Sequence, residues 1–109
     1  MTRDELLDEL RELELNLRSP EVQDFFLTQP VDVRNKFVSY REEISFLVGK
    51  LTNAELEEIA DKLDELSDDI NAGITSLREK IQALNDAIEI INALGTVLGH
   101  VARIAAIAV

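Results

Sequence analysis

A chain of 109 residues suits one small domain, and the lack of cysteine excludes disulfide and thiol chemistry. Twenty-two Asp and Glu against eleven Lys and Arg leave a net charge of -11, which opposes binding to DNA, RNA or an anionic membrane by simple attraction. The charge is unevenly placed: Met1–Ala72 holds 19 acidic and 8 basic residues, whereas Gly73–Val109 holds 3 of each.

Strand signals are absent and helical spacing runs along the whole chain. Thr2 with Glu5 reads as a capping box opening a first helix, whose stripe is Leu6, Leu10, Leu13 and Leu17, widened by Leu7. Ser19-Pro20 ends it and starts a short second helix, with Val22, Phe25 and Phe26 as its apolar side. After Pro30, the series Val33, Phe37, Tyr40, Ile44, Leu47 and Leu51 predicts a third helix with a heptad-like seam. Phe37, Tyr40 and Phe46 concentrate aromatic bulk there, so the centre of the core is expected in this helix.

Thr52 with Glu55 reads as a second capping box, opening a fourth helix with the stripe Leu56, Ile59, Leu63, Leu66 and Ile70. Beyond Ile70 two outcomes are open. The stripe can continue through Ile74, Leu77, Ile81, Leu84, Ile88, Ile91, Leu98 and Ala105, at the cost of a stutter at 66-70-74. Alternatively the helix stops at Asn71-Ala72-Gly73, and Ser76 with Glu79 caps a new one. An unbroken helix from Asn53 to Val109 would be about 85 Å long, against a radius of gyration of about 13 Å for a compact domain of this size. Length therefore favours a break or sharp kink near Gly73.

The segment Ile90–Val109 contains no acid and one Arg. On a helix, Asn92, Thr96, His100 and Arg103 share an arc of about 80°, and the rest of the girth is apolar. Such a helix must be covered on most of its sides. Gly95 and Gly99 form a Gly-x-x-x-Gly pair that admits close approach of another backbone. Twenty residues also match the length of a bilayer-spanning helix, but Arg103 inside the span would cost about 2.5–3.5 kcal/mol, and no Trp or Tyr anchors flank it. The layout of Leu77–Val109, an amphipathic helix leading into an apolar glycine-containing segment, resembles that of α-helical pore-forming toxins. That resemblance of layout, which includes no motif of those toxins, implies a membrane-interacting role.

Residues that carry chemistry are sparse. The lone histidine, His100, has no Glu-x-x-His spacing and no second His or Cys for a metal. It reads as a packed or interfacial polar residue. Asp68, Gly73 and Glu79 fit positions 1, 6 and 12 of a calcium loop, but Ile70 and Ala72 offer no ligand at positions 3 and 5. The acidic clusters Asp4, Glu5, Asp8, Glu9, Glu12 and Asp61, Asp64, Glu65, Asp68, Asp69 read as solvated helix faces. No catalytic, metal or cofactor site is expected.

The expectation is an all-α antiparallel bundle of four main helices, with a short helix after the first and a long, kinked or broken C-terminal helical region. It is a single helical domain over 1–109, with an acidic helical part over 1–72 and a neutral, apolar C-terminal helix over 73–109. The function expected is that of a non-enzymatic interaction or assembly protein, a homo-oligomer with a dimer favoured, or a protein that binds a partner. Ile88, Ile91, Leu94, Gly95, Leu98, Gly99, Ala102, Arg103 and Ala105 would line the contact, with Arg103 pairing with a neighbour's carboxylate. The alternatives are a membrane-interacting protein using residues 84–109, and an acidic inhibitor or immunity-type protein acting through the N-terminal two-thirds. Nucleic acid is not expected as a partner. The first residues lack a basic stretch followed by an apolar one, so a cytoplasmic location is expected.

Overall fold

The computed structural model describes residues 1–107, and Ala108 and Val109, the end of the apolar segment, lie outside them. Every regular element among the described residues is an α-helix: α1 Arg3–Leu17, α2 Pro20–Leu27, α3 Val31–Thr52, α4 Leu56–Ala83 and α5 Ala87–Ala105. Four long helices and one short one, placed after the first, are the elements the hydrophobic spacing predicts. They pack into a body of 43 × 22 × 19 Å with a radius of gyration of 13.8 Å.

The first capping box forms: the Glu5 backbone N–H donates to Thr2 Oγ1 at 3.1 Å, and the Thr2 N–H donates to the Glu5 carboxylate. Ser19 is the N-cap of α2 by backbone geometry but makes no side-chain cap bond, and Pro20 follows it in the first turn. The second expected capping box does not form. Thr52 is still helical, and its hydroxyl donates back to the Val48 carbonyl at 2.6 Å. Glu55 is the N-cap of α4 without a side-chain bond.

The largest correction concerns Gly73. α4 passes through it without interruption, so Ser76 and Glu79 lie inside a helix and cap nothing. The 66-70-74 stutter is absorbed there, with Leu66, Ile70 and Ile74 all buried. Gly73 serves packing instead: a Cβ placed on it would stand 2.9 Å from Val97 Cγ2 of α5. The chain breaks eleven residues later. Leu84 takes a left-handed conformation (φ 46°), and Asp86 then caps α5 by accepting from the Ile88 and Glu89 N–H groups, both at 3.1 Å. The acidic and neutral parts of the sequence thus meet inside one helix.

Residue proximities set the topology. Lys80 lies near Glu89 and Gly73 near Val97, so α4 and α5 are antiparallel. Val33 lies near Ile91 and Tyr40 against Gly95, so α3 and α5 run parallel. α1 is antiparallel to α3: Arg3 donates to the Ala54 carbonyl at 3.0 Å just beyond the end of α3, and Ser45 donates to Glu14 near the other end of α1. Arg78 of α4 pairs with Glu9 and Glu12 of α1. α5 packs against both α3 and α4, α1 against both from the other side, and α3 and α4 have almost no close backbone approach although consecutive. Going round the bundle the order is α1, α3, α5, α4, and the α3–α4 turn crosses its diagonal.

One core runs through all five helices. The α3 seam enters it with Phe37, Ile44, Leu47 and Leu51 buried, and Phe37 stacks on Phe26 of α2 with ring centroids 4.1 Å apart. Phe46 departs from expectation: it sits one residue off that seam, about 100° round the helix, and is 65% exposed. Leu56, the first residue of α4, is exposed as well.

Candidate interaction surface

α5 holds the residues on which the functional reading turns. Its inward girth is covered by this chain: Ala87, Ile90, Ile91, Leu94, Val97, Leu98, Val101, Ile104 and Ala105 are buried against α3 and α4. Fully burying an aliphatic side chain of this size contributes about 1.5–3 kcal/mol, and this packing covers the inward apolar side of α5 within one chain. By length and composition α5 is apolar enough to cross a membrane, with a mean hydropathy of 1.3, and its buried side is part of the core.

The nine residues expected at a contact are divided by this packing. Ile91, Leu94, Leu98 and Ala105 are inside the core. Gly95 is half-buried beneath Tyr40, whose hydroxyl would stand 2.9 Å from an added Cβ, and Ala102 is half-buried too. Ile88, Gly99 and Arg103 face solvent. Of the two glycines of the Gly-x-x-x-Gly pair, one therefore serves internal packing. The other, Gly99, would gain no neighbour within 4 Å from a Cβ.

The solvent side of α5 has an order of its own. Glu89, Asn92, Thr96, Gly99 and Arg103 are all exposed, and they follow one another at spacings of three, four, three and four. That is the spacing of a coiled-coil seam, here made of polar and small residues. The half-buried residues Ala93, Gly95, His100 and Ala102 flank it on either side. Glu89 and Arg103 are each seven residues from Thr96 and have opposite charge. Neither forms an ion pair among the described residues. Ile88 and Ile107, the exposed large apolar residues of this region, stand at its two ends. The polar arc of Asn92, Thr96, His100 and Arg103 was visible in the sequence. Glu89 was missed as its fifth member, although Asp86 with Glu89 three residues on carries the pattern of a helix start.

A second surface has no counterpart in the sequence reading. Between α2 and α3, a cleft of about 90 Å³ is lined by Phe26, Leu27, Arg34, Phe37, Val38 and Arg41, with Gln23 at its edge. Among the described residues, no group of His, Asp and Glu is arranged to hold a metal ion. The candidate calcium residues Asp68, Gly73 and Glu79 lie along one straight helix, where no loop can wrap an ion. Comparison with protein-family models, with curated proteins and with solved structures finds no significant match to this chain.

Proposed function

We propose that this protein is a non-enzymatic assembly module that pairs with a second copy of itself through the solvent side of α5. The observation that carries the reading is the self-complementary order of that side. In an antiparallel pairing of two α5 helices centred on Thr96, Glu89 of each copy lies opposite Arg103 of the other. A twofold contact requires this kind of self-complementarity. Asn92, Thr96 and Gly99 keep the middle of the seam low, so two helices can approach closely. Ile88 and Ile107 add apolar area at the ends.

Charge supports the same location. Two molecules each carrying -11 repel one another across their acidic faces. α5 carries only Glu89 and Arg103, which leaves it without net charge. Gly99 adds a third argument. A mid-helix glycine costs about 1 kcal/mol relative to Ala, and no contact among the described residues requires one at this position.

One helix pair is a small interface, so the dimer is weak and concentration-dependent. The test is solution mass by sedimentation across a concentration series. Glu89→Arg and Arg103→Glu should each yield a monomer, and the double exchange should restore the dimer. Gly99→Leu should also yield a monomer with unchanged helicity. A wild-type chain that stays monomeric at millimolar concentration contradicts the proposal. So does a dimer indifferent to both charge reversals. A monomer that co-floats with lipid vesicles would replace it by a membrane role for the same helix.

A further inference from the structure

The cleft between α2 and α3 sets two arginines around an apolar slot. Arg34 and Arg41 are seven residues apart on one face of α3, about 10.5 Å along the axis. The chain has twice as many acidic as basic residues, yet neither arginine forms an ion pair among the described residues. The Nε of each is shielded from solvent and has no hydrogen-bond partner among the described residues. Arg41 is held in place by the Phe37 ring, with its guanidinium carbon 4.9 Å from the ring centroid. Phe37 is in turn fixed by its stack on Phe26. Between the arginines the slot is walled by Val38, 41% exposed, and Leu27, 66% exposed.

We infer that this cleft docks an acidic peptide segment of a partner protein, with one aliphatic side chain in the slot and a carboxylate on each arginine. A planar guanidinium recognises a carboxylate with two parallel hydrogen bonds, and stacking on an aromatic ring pre-orients it. The slot, at about 90 Å³, is smaller than the roughly 150 Å³ that admits benzene, which suits a single aliphatic side chain. Two carboxylates spaced two helical turns apart, with the aliphatic residue midway, match the Arg34–Arg41 spacing on an amphipathic acidic helix. Two arginines without an ion pair among the described residues give this cleft a local positive charge complementary to such a segment.

The test is a titration of the full chain, followed by NMR, with a synthetic helical peptide carrying one Leu midway between two Glu seven residues apart. Binding should shift the signals of Val38, Leu27 and the two arginine Nε–H groups. It should weaken by about tenfold in each of Arg34→Gln and Arg41→Gln, the scale of a hydrogen bond to a charged group. Val38→Glu, an exposed change that leaves the fold intact, should abolish it. The same peptide with Lys in place of Glu should not bind. Absence of binding at millimolar peptide overturns the inference, as does affinity unchanged in both arginine variants. Equal shifts from acetate alone would also overturn it, by showing an anion site without peptide recognition.

Discussion

The two sides of α5 obey different rules. The inward side, with Ile90, Leu94, Val97, Leu98 and Val101, is fully buried and aliphatic, and close packing with α3 and α4 sets its sequence. The outward side, with Glu89, Asn92, Thr96, Gly99 and Arg103, is exposed in the monomer and still keeps heptad spacing. An apolar helix therefore does not by itself call for a partner molecule. The bundle supplies that cover, and the information about partners lies in the residues the bundle leaves outside.

Substitutions that exchange the roles of the two sides test this contrast. The largest effect is expected from Leu94→Ala, which empties a fully buried site. It should cost about 2–5 kcal/mol in urea unfolding, whereas Thr96→Ala, two residues away, should stay within about 0.5 kcal/mol. Next comes Gly73→Ala. Its Cβ would meet Val97 Cγ2 at 2.9 Å, so either the Val97 side chain must turn or α4 and α5 must move apart. A loss of about 1–3 kcal/mol is expected, as for other overpacked sites. The smallest effect has the opposite sign. Gly99→Ala meets open space, so it should raise monomer stability by up to about 1 kcal/mol. The glycine scan thus separates positions required by the fold from one that is not.

Much of the fold was legible in the spacing of apolar residues. The stripe of α1, the residues Phe37, Ile44, Leu47 and Leu51 of the α3 seam, and the run Ile59, Leu63, Leu66, Ile70 of α4 are core residues as the periodicity predicts, with Val33 and Tyr40 of the seam partly buried against them. Thr2 and Glu5 marked the first helix start because their capping pattern is local. The last helix boundary was hidden for a physical reason. A glycine inside a helix looks like a stop when its real use, admitting Val97, lies on another helix. The true stop uses Leu84 in a left-handed conformation that costs a non-glycine residue about 1–2 kcal/mol, so the stop itself has no signal in the sequence, although Asp86 with Glu89 marks the helix start that follows it. The α2–α3 cleft was illegible for a related reason. Arg34 and Arg41 look like ordinary helix-surface charges until tertiary packing leaves them without an ion pair among the described residues.

Whether the bundle itself covers α5 can be measured by amide exchange of that helix at a dilution where the chain is monomeric. The bundle predicts that Leu94, Val97, Leu98 and Val101 exchange as slowly as buried residues of α3, such as Ile44 and Leu47, and that dilution does not change this. Fast exchange at those four amides, or protection that disappears with dilution, would contradict the claim and place the cover of α5 in a second molecule.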